Sequence, residues 1–343
     1  MRLASLRLTD LGPLEDLTLR FAGDAGPRPA TVIFGADGTG KTTLLGAILA
    51  TRPGHALPPA PGKPGFAIAE WLLGDDDPAR PHPLVVASPS AMIEGEAEGA
   101  TLARRREQAH FDRRAQEAGG FVALGVSGAR WFSRTTTMLA APDRTLGRWD
   151  VRAAASFDEA TRADLSRETK QVLSWAAISA ALEGESGRWA SLRASVVEIA
   201  DALLEPWGAS WTGASPASLE PTFAVDGDAR AFEDLPKGAR HLLAIGCAAA
   251  RALFAAYPDD RAPVRDREGV VLVDDLEAQL EPRVQRRAVP LLRRALPRVQ
   301  WIATTASPDV TLGCDADQVL ALRRATPGAR GVELHEGPLA VIH

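Results

Sequence analysis

Thr31-Val32-Ile33-Phe34-Gly35-Ala36-Asp37-Gly38-Thr39-Gly40-Lys41-Thr42-Thr43 is the stretch whose reading decides the fold. A β-branched and apolar run leads into Gly35, and Gly35 to Thr42 fits the phosphate-loop pattern G-x-x-x-x-G-K-[ST]. Each residue type answers a physical demand. Glycines accept positive φ, so the backbone folds around an anion with its N–H groups turned inward. Leu44, Leu45, Ala47, Ile48 and Leu49 predict an apolar helix starting near Lys41, whose N-terminal dipole faces the same anion. Lys41 is then placed for the β- and γ-phosphates of a nucleotide, and the Thr42 hydroxyl for Mg²⁺. The competing reading is a chance match in a Gly-rich chain; the strand–loop–helix context selects nucleotide binding. The expected contacts are Gly35, Ala36, Asp37, Gly38, Thr39, Gly40, Lys41, Thr42 and Thr43.

The chain has 343 residues, enough for one large α/β domain or two modest ones, and 45% of them are apolar. A net charge of −5 gives no overall basic footprint for nucleic acid, so only a local patch remains open. The two cysteines, Cys247 and Cys314, suggest neither a disulfide framework nor a zinc site, which fits a reducing cytoplasm. The opening MRLASLRLTD alternates like a strand and is not expected to be a secretory signal. The longest apolar run, 242–256, is broken by Arg251 and is expected to be too short for a bilayer, so no membrane partner is expected.

Residues 3–8 and 17–21 alternate with period two around Asp10-Leu11-Gly12-Pro13 and predict a strand pair. The Pro/Gly-rich 53–65 reads as a loop, and 66–73 with 84–88 as a β-hairpin arm. Residues 101–118 predict a charged helix carrying Arg104, Arg105, Arg106, Arg113 and Arg114, which is either a solvated face or a patch for phosphate backbone or a partner. A strand at 121–126 follows, with Arg130 and Arg134 just beyond it. Helices are expected over 159–182 and along the stripe Trp189, Leu192, Val196, Ile199 and Leu203, ended by Pro206. No heptads persist, so no long coiled coil is expected. The eight tryptophans are expected mainly in the core and this helical region. A hairpin around Asp226-Gly227-Asp228 precedes Leu235-Pro236-Lys237-Gly238 and a nearly all-apolar helix over 239–256. Residues 269–275 (GVVLVDD) form a continuous apolar strand ending in two carboxylates. A helix opens at Pro282, with a kink expected at Pro290, and strands follow at 299–304, 318–323 and 331–334.

A phosphate-loop NTPase needs a second, acidic strand whose last Asp anchors Mg²⁺ and whose next carboxylate positions the attacking water. Asp274 and Asp275 end a strand of that type; the alternative is a plain strand-capping turn. The order of P-loop, helical region, Leu235–Gly238 with its buried helix, Asp274-Asp275-Leu276-Glu277-Ala278-Gln279-Leu280-Glu281-Pro282 and Thr304-Thr305-Ala306-Ser307-Pro308 resembles the ATP-binding-cassette head of the RecF/SMC-like group. It looks most like the short bacterial AAA-like ATPases of that group, over nearly the whole chain.

The resemblance implies an α/β P-loop NTPase of ABC-head type, with a mixed central sheet, an antiparallel β subdomain and an inserted helical lobe. It implies a single head over 1–343. In it, 1–95 hold the N-terminal strands, P-loop and β-arm, 96–235 the helical lobe, and 236–343 the signature helix, acidic strand and closing strands. ATP and Mg²⁺ are the implied cofactors, with Thr42 and Asp274 at the metal and Asp275 and Glu277 as candidate catalytic carboxylates. Two copies would sandwich ATP, with Gly238 approaching the γ-phosphate of the other copy at a point where a Cβ would crowd it. The implied partners are a second copy and a protein effector such as a nuclease, with nucleic acid through the arginine patch, in DNA repair or anti-phage defence. Three positions depart from the family pattern: Pro236 replaces the signature Ser, Asp275 the catalytic Glu, and Ala306 the γ-phosphate-sensing His. These favour slow hydrolysis, or a scaffold that binds ATP without turnover. Gln108 and Gln116 fall on a helix and are poor candidates for the family's glutamine loop. The six histidines, His55, His82, His110, His241, His335 and His343, lack metal-ligand spacing. No N-K-x-D motif supports a GTPase, and no L-S-G-G-Q a transporter ATPase.

Overall fold

The computed structural model describes residues 1–24, 26–52, 65–88, 95–117, 120–137, 164–184, 187–257, 262–324, 326 and 331–337, without the side chains of 114–117. The loop expected over 53–65, save its last residue, and the start of the helix expected from 159 lie outside the described residues.

β1 (Arg2–Leu11) and β2 (Leu14–Arg20) lead to a small ribbon of β3 (Ala22–Gly23) and β4 (Gly26–Pro27). β5 (Ala30–Gly35) delivers the P-loop to α1 (Lys41–Ala50). Then come β6 (Phe66–Leu72), β7 (Leu84–Ser88), α2 (Glu98–Glu117) and β8 (Ala123–Val126). α3 (Leu165–Glu183) and α4 (Arg188–Leu204) precede β9 (Ala209–Ala214), β10 (Pro221–Val225) and β11 (Asp228–Ala231). α5 (Lys237–Ala256), β12 (Gly269–Val273), α6 (Pro282–Ala295), β13 (Val299–Thr305), α7 (Pro308–Thr311), β14 (Val319–Arg324) and β15 (Val332–Glu336) follow.

The central sheet has six strands in the order β15-β14-β5-β13-β12-β8. Every neighbouring pair is parallel except β14 with β15. Strands covered on both faces are apolar throughout, and β12 shows why. Val271 and Val273 enter the core filled by α3, α4, α5 and α6, while Val270 and Leu272 enter the core of α1 and the antiparallel sheet β2-β1-β6-β7. In β13, Trp301 and Ala303 face the first core and Ile302 the second.

The hairpin of β6 and β7 forms as expected, and β6 also pairs with β1 (Leu6 with Ala69, Leu8 with Ala67), its alternate residues Ala67, Ala69 and Trp71 being fully buried. One expectation changes here. Residues 96–235 are not wholly a helical insertion: β8 pairs in parallel with β12, and β9, unforeseen, joins β10 and β11 in a three-stranded antiparallel sheet. By length and composition alone α5 is long and apolar enough to cross a membrane, yet 83% of that window is buried inside the protein. A helix apolar on all sides needs cover all round, so α3 and α4 close over it and share its core with the sheet.

α6 runs on through Pro290. Proline has no N–H for the carbonyl four residues back; that carbonyl, on Arg286, sits so close to Gly313 that a Cβ there would lie 1.7 Å from it. Trp71, Trp211 and Trp301 are buried, and Trp175, Trp189 and Trp207 pack against the core. Leu272→Ala is expected to lower stability by ~2–5 kcal/mol, the usual cost of emptying a fully buried leucine site, as read by a shift in the urea unfolding midpoint.

Candidate functional site

Gly40 caps α1 in the left-handed conformation (φ 88°), and a Cβ there would meet Pro13 at 2.8 Å, so the loop demands glycine at this point. The Lys41 side chain is buried, with Nζ donating to the carbonyls of Gly35 (2.8 Å) and Ala36 (3.1 Å). Thr39 Oγ1 donates to the Ala36 carbonyl at 2.8 Å. Asp37 is fully exposed, 4.0 Å from the Lys41 ammonium. Thr43 is exposed on α1. Arg324, at the end of β14, donates Nη2 to the Gly38 carbonyl at 3.1 Å and closes the far side of the loop.

The acidic turn meets this loop directly. Thr42 Oγ1 donates to Asp274 Oδ2 at 2.9 Å, and Thr304 Oγ1 donates to Asp274 Oδ1 at 2.6 Å. Thr304 Oγ1 also accepts from the Asp275 amide at 2.9 Å. Glu277 is engaged by the loop after β13: it accepts from Thr305 Oγ1 (2.7 Å) and from the Ala306 amide (2.8 Å). Asp275 is half-buried with φ 46°, left-handed for a residue with a side chain. Burial first, then the charges of Asp274 and Glu277, raise its carboxyl pKa above the ordinary aspartate value.

The donor set suits Mg²⁺. A hydroxyl and a carboxylate, both hard oxygen ligands, stand side by side next to the phosphate loop, and Mg²⁺ typically takes one or two carboxylates and completes its shell with water and substrate phosphates. Among the described residues no cluster of three His, Cys, Asp or Glu offers an all-protein cage for another metal. Burial pushes both thiols, Cys247 and Cys314, up to about 12, so neither is a nucleophile at neutral pH.

Gly238 is closely packed within the chain. It is buried, and a Cβ there would meet Trp207 at 2.9 Å, Leu280 at 3.2 Å and the Gln279 carbonyl at 3.3 Å. Close packing within the chain accounts for the glycine, whereas Pro236 and Lys237 are the exposed residues at that helix start. The arginine patch also shrinks. Arg104 is buried, its Nε and Nη2 donating to Glu96 at 3.0 and 3.1 Å, while Arg105, Arg106 and Arg113 are exposed on α2 and the side chain of Arg114 lies outside the described residues. Gln108 is buried and pairs with both backbone groups of Ala87.

Sequence reasoning passed over two further members of the site. Thr304 bridges both aspartates, as above. Arg130, in the loop after β8, donates to the carbonyls of Asp274 and Asp275, both at 2.6 Å. The available signals were a buried-strand Thr pair and an arginine directly after a parallel strand. Arg130 Nε also donates to His241 Nδ1 at 3.4 Å. Burial, with the charges of Arg130 and Arg240, drives the His241 pKa from 6.5 down to about 3.

Between those two values the unfolded chain takes up a proton at His241 that the native protein refuses. The stability from its neutral form is therefore complete above about pH 6.5 and is lost as pH falls toward 3. Stability against denaturant is expected to fall by up to ~1.4 kcal/mol per pH unit as pH drops through that window, and His241→Asn is expected to flatten the dependence. Gly238→Val is expected to cost ~1–3 kcal/mol by overpacking against Trp207, read by thermal unfolding of the protein without nucleotide.

No protein-family model matches the chain. Its sequence is 31% identical over 102 residues to the Escherichia coli protein described as "Retron Ec83 probable ATPase", covering 28% of this chain and 19% of that one. It is 37% identical over 59 residues to the Septu protein PtuA of Bacillus thuringiensis, covering 17% of this chain and 15% of that one. The matched stretches thus span under a fifth of either relative's length. Among solved structures, the SMC head bound to the C-winged helix domain of ScpA aligns over 100% of both chains, with a TM-score of 0.51 and 14% identity. The chain has an SMC-head-like ABC ATPase fold, with distant and partial similarity to the retron and Septu proteins.

Proposed function

We propose that the chain binds ATP with Mg²⁺ at the P-loop and hydrolyses it slowly, as an ATP-dependent switch. The observation that carries this is the 2.9 Å hydrogen bond between Thr42 and Asp274, which joins the P-loop helix to an acidic strand 232 residues away. Lys41, inside the loop, neutralises phosphate charge; charge-assisted bonds of this kind are roughly twice as strong as neutral ones. Thr42 and Asp274 hold the metal, which when bound supplies charge neutralisation at the transferring phosphoryl group. Asp275 positions the attacking water.

In the proposed cycle two copies close on ATP and separate after hydrolysis. Lys237 and Arg240 at the start of α5 bring positive charge to the second copy's phosphates. The partial similarity to the retron and Septu proteins supports an ATPase role in anti-phage defence; a cytoplasmic location, a protein effector such as a nuclease and an alternative part in DNA repair belong to the same proposal. Arg105, Arg106 and Arg113 are the proposed nucleic-acid contacts. A second reading, a scaffold that binds ATP without turnover, is favoured by the engagement of Glu277 with Thr305 and Ala306 and by the bare Ala306 side chain.

Lys41→Ala is expected to abolish ATP binding in calorimetry with Mg²⁺; unchanged affinity would remove the site. Asp274→Asn is expected to stop phosphate release. Asp275→Glu with Ala306→His is expected to raise it by ~10²-fold, the scale on which one positioning or electrostatic group counts. Wild-type turnover equal to the Lys41→Ala blank would select the scaffold reading.

A further inference from the structure

Arg130 is a cation buried to 7% exposure that the proposed binding of ATP and Mg²⁺ leaves without a task. Its guanidinium joins three separate elements. Nη1 donates to the carbonyl of Ser127 (3.0 Å), within its own loop after β8, and to that of Asp274 (2.6 Å). Nη2 donates to the carbonyl of Asp275 (2.6 Å). Nε donates to Nδ1 of His241, which lies on α5 one turn beyond its start.

The bonds to Asp274 and Asp275 fall on main-chain oxygens, so they fix backbone and leave neither carboxylate occupied by the guanidinium. Asp275 needs fixing. Its left-handed φ of 46° is held at the amide by Thr304 and at the carbonyl by Arg130. That backbone aims the carboxylate at Gly128, where a Cβ would lie 2.6 Å from Oδ2. Arg130 therefore clamps the very turn that sets where the Asp275 carboxylate points. Its fourth bond reports the position of α5. His241, 3% exposed and with its pKa driven down to about 3, is neutral at working pH, and a neutral ring offers Nδ1 as an acceptor. A shift of α5 that breaks this bond unloads one corner of the clamp. Lysine cannot replace the guanidinium, because its donors radiate from one point while arginine's form a planar fork.

We propose that Arg130 is a positioning residue for hydrolysis, holding the Asp275 turn in its productive conformation and tying it through His241 to the first turns of α5. This rests on the reading of Asp275 as the water-positioning carboxylate. The test uses the full chain with ATP and Mg²⁺, comparing wild type, Arg130→Lys, His241→Asn and His241→Leu. Arg130→Lys is expected to lower kcat by ~10²-fold, the scale of a small misplacement of a reacting group, with KM within ~3-fold of wild type, the pattern of an interaction that matters only in the transition state. His241→Leu is expected to lower kcat in the same manner, and His241→Asn, whose Oδ1 replaces the Nδ1 acceptor, to restore most of it.

Hydrogen exchange supplies a readout that needs no turnover. Arg130→Lys is expected to speed amide exchange across 274–278 by at least ~10-fold while the P-loop peptide is unchanged, as for a local rather than global opening. Unaltered exchange at 274–278, or kcat and KM moving together with exchange faster throughout, overturns the proposal. Wild-type turnover no greater than that of Lys41→Ala removes hydrolysis itself, and the exchange result then decides the clamp alone: faster opening confined to 274–278 sustains it, and no change overturns it.

Discussion

The Asp274 carboxylate is the point on which the rest of the site depends. One oxygen accepts from Thr42 on α1 and the other from Thr304 at the end of β13, so a single buried side chain ties the P-loop helix to two neighbouring strands. A buried carboxylate is tolerable only when its oxygens are satisfied, and here two hydroxyls do that. The same hydroxyls set the spacing between phosphate loop and acidic turn. Thr304 has a second duty, because its oxygen also receives the Asp275 amide and starts the left-handed turn.

Around that point the structure separates two kinds of charge. Asp274, Asp275 and Glu277 are concentrated at the C-terminal edge of the sheet, where unlike charge is welcome, and Lys41 and Arg130 are the buried cations that face them. Burial lowers the Arg130 pKa to about 10 against the opposing pull of the three carboxylates nearby, which still leaves it charged at neutral pH. The P-loop holds its lysine by its own carbonyls, and the acidic turn gathers carboxylates beside it. In the function proposed above, a nucleotide with its metal would satisfy both halves at once.

Much of this was legible in the sequence because the motifs are local. Gly35 to Thr42 fixes strand, loop and helix within a dozen residues, and the apolar run before Asp274 marks a strand covered on both faces. What could not be read was set by distant neighbours. The β6–β7 hairpin was legible, but the second partner of β6, β1, lies some sixty residues upstream and was not. The strand β8 was visible, but its place beside β12 was not, so the span 96–235 looked more uniformly helical than it is. Gly238 suited an approaching phosphate on motif grounds, while the side chain that claims its space, Trp207, belongs to a short turn with no motif of its own. Arg104 looked like part of a basic surface, and only the fold shows Glu96 beside it.

The order of strands across the central sheet has a consequence for how the chain comes to be folded. β5 and β12 are not neighbours; β13 lies between them and pairs with both. The contact between Thr42 and Asp274 therefore waits on a strand that is synthesised later than either residue. Until residues 299–305 have left the ribosome, β5 and β12 each present an unpaired apolar edge, and such edges invite pairing with other chains. Long-range parallel pairing of this kind is slow to form. The nucleotide site is thus among the last parts of the molecule to exist during biosynthesis, and nascent chains cut short before β13 carry the P-loop motif without the means to assemble it.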